Sequence, residues 1–464
     1  MTKKTKIVCT IGPSSLQPET LEKMVHAGMN CVRINTAYGD FDRYKLIVDS
    51  VREIADIPVM VDLKGPEIRI KTDHELTVNS GDVLDVGSGA VRFNHNFVDQ
   101  MSIGDIILVD NGRIRASVTE KSGETLRLHV ERGGVIADGK GVNVPNKKLK
   151  VQTLSQRDHK IIDFATERQV EFLALSFTRN AKDVTNLRSA AQSFKGAVVS
   201  KIENFEGITN FNQILNASEA IMVARGDLGI EIATERVPLV QKSLIRKCNQ
   251  AGKTVITATE MLESMMHQPS PTRAEVSDVA NAILDGTDAT MLSGETAIGN
   301  YPVESVAMMA RVANETEKAA VSSVEDQGFV NISDTVSRSI HRICTNMPLD
   351  KIVTLTRSGY TAKMITRFKV SQPIIAVTSS KIAKRQLELV YGVIPVLVDY
   401  RQETDRILAV ACNLFSKKLL DIEDTVLFTA AFRTKQKHAS NLIEIHKIKE
   451  LLDLKENGTV EPAS

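Results

Sequence analysis

Eight short apolar runs, most of them rich in β-branched residues, recur along the chain as far as Ser293, with helix-length stretches between them. They are Lys6 to Thr10, Cys31 to Asn35, Val59 to Leu63, Phe172 to Phe177, Ala197 to Ile202, Ala220 to Arg225, Thr254 to Thr259 and Ala289 to Ser293. A run that is apolar at successive rather than alternate positions belongs to a strand buried on both faces, the condition of parallel strands under covering helices. Eight β/α units in sequence predict a closed (β/α)8 TIM barrel. A chain of 464 residues with 42% hydrophobic content has material for further domains as well.

The barrel rhythm stops after the third run. From Lys71 to Asn146 the chain reads as short alternating segments separated by turn signals, among them Asn79-Ser80-Gly81-Asp82, Asp110-Asn111-Gly112 and Lys121-Ser122-Gly123. This predicts a small β domain over 71–146, inserted between barrel segments 1–70 and 147–325. It leaves from the end of strand three and returns before the fourth helix pattern, so it must emerge on the barrel's active face, where it could close as a lid. Beyond 326 a helical pattern at Thr335 to Asn346 precedes strands at Ile352 to Thr356, Ile374 to Thr378, Val393 to Val398 and Thr425 to Ala430. Residues 326–464 are therefore expected to form a separate α/β domain. Its Thr356-Arg357-Ser358-Gly359-Tyr360-Thr361 loop, between strand and helix, could hold a phosphate through Thr356, Ser358 and Thr361, or merely cap the helix.

Active sites of this fold lie at the carboxyl ends of the strands. Here those ends carry Arg33 and Asn35, Asp62 and Lys64, Ser176, Lys201 and Glu203, Arg225 and Asp227, Thr257 and Thr259, and Ser293 and Glu295. Lys201, Glu203 and Asp227 place one cation and two carboxylates at the ends of two successive strands. A magnesium-assisted reaction on a phosphorylated anion needs that combination.

Bulk properties narrow the class. With 58 basic and 57 acidic residues the net charge is +1, so no general field gathers nucleic acid or anionic lipid. Cys9, Cys31, Cys248, Cys344 and Cys412 are scattered, odd in number and without zinc spacing, as expected of a reducing cytoplasm. No stretch approaches 18 uninterrupted apolar residues and no apolar signal region opens the chain, so a soluble cytoplasmic protein is expected.

Several segments taken together resemble pyruvate kinase: Thr10-Ile-Gly-Pro-Ser, Gly28-Met-Asn-Cys-Val-Arg-Ile-Asn, Asp62-Leu-Lys-Gly-Pro-Glu-Ile-Arg, Ser200-Lys-Ile-Glu-Asn-Phe-Glu-Gly, Met222-Val-Ala-Arg-Gly-Asp-Leu-Gly, Met261-Leu-Glu-Ser-Met, Pro271-Thr-Arg-Ala-Glu-Val-Ser-Asp-Val-Ala-Asn-Ala and Met291-Leu-Ser-Gly-Glu-Thr-Ala. The likeness runs in order through nearly the whole chain. It implies transfer of the phosphoryl group of phosphoenolpyruvate to ADP, giving ATP and an enolate that is protonated to pyruvate. It also implies that Glu203 and Asp227 hold magnesium or manganese, that Lys201 and Arg33 neutralise the phosphoryl group, and that Gly226, Asp227 and Thr259 receive the substrate carboxylate. Thr259 would in addition order the water that protonates the enolate carbon, while Lys201, in contact with phosphate, would stay charged and be a poor acid. Pro13, Asn35, Tyr38, Arg69, Asp110 and Lys140 are implied for the nucleotide, which no G-x-x-x-x-G-K-[ST] loop is present to hold. A homotetramer and a phosphorylated allosteric effector belong to the same resemblance.

The chain also departs from the family pattern. Where most relatives read Asn-Phe-Ser-His-Gly, this chain has Asn35-Thr36-Ala37-Tyr38-Gly39, which removes a hydroxyl that helps bind potassium. Asn35 and Asp62 remain as potassium ligands, Leu63 keeps the carbonyl of the usual threonine, and Glu67 matches the potassium-dependent pattern, so dependence on potassium stays open. Glu260 replaces the usual glutamine. The basic Phe432-Arg-Thr-Lys-Gln-Lys-His stands where many relatives have a glycine-rich effector loop, and it could meet a phosphate held at 356–361. The metal carboxylates alone would equally suit a barrel aldolase or lyase that stabilises an enolate, but that chemistry needs neither the lid nor the C-terminal domain. A metabolite-binding protein without turnover would have no reason to keep Lys201, Glu203, Asp227 and Thr259 together.

Overall fold

The computed structural model describes residues 3–65, 67–145, 147–319, 331–400, 405–431 and 440–456. The chain begins β1 (Lys6–Thr10), α1 (Pro18–Ala27), β2 (Cys31–Asn35), α2 (Phe41–Ile54) and β3 (Val59–Leu63). Nine short strands follow: β4 (Ile70–Thr72), β5 (Leu76–Val78), β6 (Val83–Val86), β7 (Val91–Phe93), β8 (Ile106–Val109), β9 (Ile114–Ser122), β10 (Thr125–Arg132), β11 (Gly134–Ile136) and β12 (Val142–Asn143). The β/α rhythm then resumes with α3 (Gln156–Glu167), β13 (Phe172–Leu175), α4 (Ala181–Ala190), β14 (Ala197–Ile202), α5 (Phe205–Thr209), α6 (Phe211–Ala217) and β15 (Ala220–Ala224). It continues through α7 (Arg225–Glu231), α8 (Val237–Ala251), β16 (Thr254–Ala258), α9 (Arg273–Leu284), β17 (Ala289–Leu292), α10 (Gly294–Ala297) and α11 (Pro302–Thr316).

Strands β1, β2, β3 and β13 to β17 close into a barrel in which every neighbour is parallel. Two cores result, because side chains alternate across each strand. Ile7, Ile34, Val61, Leu63, Leu173 and Ile202 face the helices, while Val8, Met60, Ala174, Met222, Ala258 and Met291 fill the barrel itself. Four strands are shorter than the apolar runs suggest. Phe177 turns left-handed (φ 52°), Arg225 starts α7, Thr259 turns left-handed (φ 69°), and Ser293 precedes α10.

The inserted lid holds its own core, with Val118, Leu126, Leu128 and Val130 fully enclosed in the β9–β10 hairpin region. It returns ahead of α3, the third helix of the barrel rather than the fourth. Its two ends pair with each other: Val142 N–H donates to Ile68 O at 2.8 Å, Ile70 N–H donates to Lys140 O at 2.8 Å, and Arg69 bridges Gly141. The lid therefore stands on a two-stranded antiparallel stem.

The C-terminal elements are α12 (Ile332–Asn346), β18 (Lys351–Leu355), α13 (Tyr360–Thr366), β19 (Ile374–Thr378), α14 (Lys381–Leu387), β20 (Val393–Leu397), α15 (Arg406–Ser416), β21 (Thr425–Ala430), β22 (Leu442–Lys447) and α16 (Ile448–Glu456). The sheet order is β20-β19-β18-β21-β22, with β22 antiparallel to β21, an edge strand absent from the sequence reading. This unit docks on the barrel's N-terminal face, where its Leu389, fully buried, joins the cluster inside the barrel. The boundary expected at 326 and the basic Phe432 to His438 stretch lie outside the described residues. Among the described residues no helix is long and apolar enough to cross a membrane.

Candidate active site

Strand alternation explains why the chemistry-bearing residues come every second position. On β14, Ile202 packs under the helices, so Lys201 and Glu203 both turn to the barrel mouth. The same parity places Arg33 and Asn35 on either side of outward Ile34, and Asp62 beside outward Leu63. Leu63 thus contributes only backbone at the mouth.

At the mouth these residues interlock. Asp62 Oδ2 accepts from Arg33 Nε at 2.7 Å and lies 3.3 Å from Lys201 Nζ. Ser176 donates its hydroxyl to Asp62 Oδ1 at 3.2 Å and accepts from Lys201 at 2.7 Å. Lys201 also meets Glu203 Oε1 at 2.9 Å, and Arg33 donates to the Thr10 hydroxyl at 2.9 Å. Glu203 Oε2 accepts the Phe177 N–H at 2.6 Å. Arg33, Asp62, Lys201 and Glu203 are all buried, so each charge depends on the others for what water would supply.

The electrostatics follow from that dependence. Burial would drive the Lys201 ammonium down, but Asp62 and Glu203 outweigh it and hold its pKa above the usual lysine value. Burial would raise Asp62, but Lys201 and Arg33 bring it below the ordinary carboxylate range. Glu203 goes the other way: burial and the neighbouring Asp227 push it up against the pull of Lys201. Asp227, at the start of α7, is likewise raised by burial, with Glu67 and Glu231 adding to the rise against the pull of Lys201. A pair of carboxylates that resist ionising, Glu203 buried and Asp227 half-buried, is the donor set a hard divalent cation stabilises. Among the described residues no three His, Cys, Asp or Glu side chains gather in a metal-holding group, so two carboxylates would leave the remaining positions to substrate oxygens and water.

Across the mouth, the Gly226 N–H donates to Thr259 Oγ1 at 2.8 Å, joining the start of α7 to the end of β16. Thr257 stays out of this site, fully buried, with its hydroxyl on that of Thr287 at 3.0 Å. Glu295 accepts the Leu262 and Ser293 N–H groups, a structural task.

The residues implied for the nucleotide fall into two groups. Arg69, Asp110 and Lys140 sit at the lid stem: Lys140 meets Asp110 at 2.9 Å, Arg69 holds Glu67 at 2.7 Å, and Asp110 N–H donates to Gly141 O at 3.0 Å. Pro13 and Tyr38 are exposed on barrel loops, and Asn35 Oδ1 accepts the Ala37 N–H at 3.1 Å. Among the described residues no hydrogen bond or ion pair joins the two groups. The Asn143 amide donates to Glu231 Oε1 at 2.9 Å and ties lid to barrel above Asp227.

In the C-terminal loop Thr356 Oγ1 accepts the Gly359 N–H at 3.0 Å, and the buried Thr361 hydroxyl bonds that of Ser440 at 2.6 Å. Of the three hydroxyls suggested for a phosphate, only that of Ser358 is exposed. The residues that the sequence reading left without a role are Ser176, the Phe177 amide and the guanidinium of Arg225. Alternation along the strand could have assigned Ser176, whereas a backbone donor carries no side-chain signal.

The family description "Pyruvate kinase, barrel domain" matches residues 2–306, and "Pyruvate kinase, alpha/beta domain" matches residues 334–446. The pyruvate kinase of Sporosarcina psychrophila is 40% identical, over 97% of this chain and 81% of its own length. That of Clostridium perfringens is 37% identical, over 96% of this chain and 100% of its own. The solved structure of a pyruvate kinase from Cryptosporidium parvum superposes with a TM-score of 0.88 at 32% identity, covering 96% of either chain. The likeness takes in both the barrel and the domain beneath it, and the chain belongs to the pyruvate kinase family.

Proposed function

We propose a division of labour at the barrel mouth for the family's reaction, the transfer of the phosphoryl group of phosphoenolpyruvate to ADP. The bond between phosphorus and the enol oxygen breaks, its electron pair stays on that oxygen, and a terminal oxygen of ADP forms the new bond to phosphorus. The enolate then takes a proton at its methylene carbon and becomes pyruvate. Lys201 and Arg33 hold the transferring group and the charge left on the enol oxygen. The Gly226 amide and Thr259 hydroxyl, engaged here with each other and with Ala258 O, turn to the substrate carboxylate at the start of α7 when it binds, and Thr259 orders the water that delivers the proton.

Glu203 and Asp227 would hold magnesium or manganese, which when bound supplies Lewis-acid stabilisation of the enolate and phosphoryl oxygens. The observation that carries this reading is the Lys201 ammonium, buried and fixed between two carboxylates that keep it charged. A permanently charged, prepositioned cation stabilises developing anion in a dry site without reorganising. It is also a poor proton donor.

On the same reading the nucleotide lies between Pro13, Asn35 and Tyr38 below and Arg69, Asp110 and Lys140 above. Potassium, if used, takes Asn35, Asp62 and the Leu63 carbonyl. Cytoplasmic residence, a homotetramer and a phosphorylated effector near Ser358 complete the proposal. The test is pyruvate formation from phosphoenolpyruvate, ADP and magnesium, with and without potassium at matched ionic strength, for the native chain and Lys201→Met. We expect Lys201→Met to lose about 10² to 10³ in kcat while still binding phosphoenolpyruvate; unchanged turnover would sink the mechanism. Equal native rates in both salts would show that Ala37 marks a potassium-free site, and activity only with potassium that Asn35 and Asp62 suffice.

A further inference from the structure

Thr259 and Glu260 are consecutive non-glycine residues in the left-handed region, with φ of 69° and 52°. Such a pair is costly for side chains bearing a Cβ and persists only where its surroundings impose it. The constraint here is a single buried guanidinium. Arg225 Nη2 donates to Thr259 O at 2.6 Å and to Glu260 O at 3.0 Å, while its Nε donates to Thr259 O at 3.2 Å. Its Nη1 meets both oxygens of Asp278 on α9, at 2.8 and 2.7 Å.

The geometry matters because of what the strained turn presents. Thr259 Oγ1 sits between the Gly226 N–H that donates to it at 2.8 Å and the Ala258 carbonyl 2.6 Å away. Gly226 follows Arg225 directly, so one residue clamps the Thr259 backbone while the next fixes its hydroxyl. Only a planar fork can span two carbonyls and a carboxylate at once; a lysine ammonium on a flexible stem would satisfy one or two of them without fixing their relative placement.

We propose that Arg225, oriented by Asp278, is a positioning residue for the Thr259 hydroxyl and thereby for the protonation of enolpyruvate. The inference rests on the assignment of Thr259 given above. In that step the π electron pair of the enolate forms the new C–H bond with a proton from solvent water, and the enol oxygen becomes the ketone. Arg225 touches neither substrate nor proton.

The test uses the full chain as Arg225→Lys, Asp278→Asn, Thr259→Val and the Arg225→Lys/Thr259→Val double variant. Two rates are read: turnover of phosphoenolpyruvate, and incorporation of deuterium into the pyruvate methyl group in D2O with magnesium and ATP, followed by NMR. We expect Arg225→Lys to slow deuterium incorporation by about 10 to 100-fold, as for a misplaced group of roughly 1 Å. Asp278→Asn should slow it by less, and the double variant should be no slower than Thr259→Val alone. A brace that only maintains the fold would cost as much in the valine background as in the native one, so a full further loss in the double variant overturns the inference. Native incorporation in Arg225→Lys overturns it too, and if that variant does not fold, native incorporation in Asp278→Asn does the same. Thr259→Val with native incorporation would instead remove the role of Thr259, and the inference with it.

Discussion

At the scale of single residues, side-chain parity decides which groups meet at the mouth. Lys201 and Glu203, or Arg33 and Asn35, are separated by one outward apolar residue, and an alternating strand can only send both members of each pair to the same mouth. Backbone conformation was not legible. Phe177 and Thr259 are residue types that avoid positive φ, and the contacts that hold them there come from Glu203 and Arg225, 26 and 34 positions away. Away from the mouth, the buried Asp183 gives a clean electrostatic prediction. Burial would raise it, yet Arg179, at 2.9 and 3.0 Å, and the Thr153 hydroxyl, at 2.7 Å, hold its pKa below the usual aspartate value. A carboxyl depressed on folding stabilises the native state above its unfolded pKa, about 3.9, and loses that contribution as pH falls through the folded value. The difference in thermal midpoint between the native chain and Asp183→Asn should be constant above about pH 5 and close as acid is added below about pH 4. A gap that persists unchanged into stronger acid would contradict the assignment.

At the scale of elements, the lid shows what a local pattern can and cannot reveal. Its alternation and its Asn-Gly and Ser-Gly turns announced a β unit, and β9 and β10 read as the paired hairpin that these signals predict. The edge strand β22 escaped because it is half-buried from Leu442 to His446, with no alternation between faces, and its partner among the described residues, β21, precedes it across the stretch 432–439. The lid's apolar cluster is separate from both clusters of the barrel, so damage to it should stay local. Leu126→Ala removes a fully buried side chain and should cost the lid about 2 to 5 kcal/mol. Amide exchange in β6, β9 and β10 should accelerate while protection in β14 and β15 holds; equal acceleration in both would mean that lid and barrel open as one unit.

At the scale of the whole molecule, the two ends of the barrel strands carry different duties. The mouth holds the charges described above, while the opposite face receives the C-terminal domain through ion pairs that sequence separation conceals, on the buried Glu171 and the exposed Asp56. Glu171 accepts from Arg52 at 2.8 Å, from the Val59 N–H at 2.8 Å and from Arg385 of α14 at 3.1 Å, and Asp56 takes Lys384 at 2.9 Å. Removing two of the three cations of α14 in Lys384→Ala/Arg385→Ala leaves the Glu171 carboxylate with Arg52 and the Val59 N–H. Scanning calorimetry should show the C-terminal domain unfolding about 2 to 4 °C lower for each kcal/mol lost, ahead of the barrel, and an unchanged trace would show that Leu389, the Lys369–Asp288 pair and the Lys6 bond to Val393 O secure the interface without them. The paired stem beneath the lid has a bearing on how such a molecule can be altered. Because entry and exit strands are already joined by backbone hydrogen bonds, the closure entropy of everything between them is met at the stem rather than by the barrel. The lid behaves as a cassette: outside Asp110, Lys140 and the Asn143 bond to Glu231, its length and sequence can drift, or be exchanged by an engineer, while the eight strands below register two neighbouring chain ends.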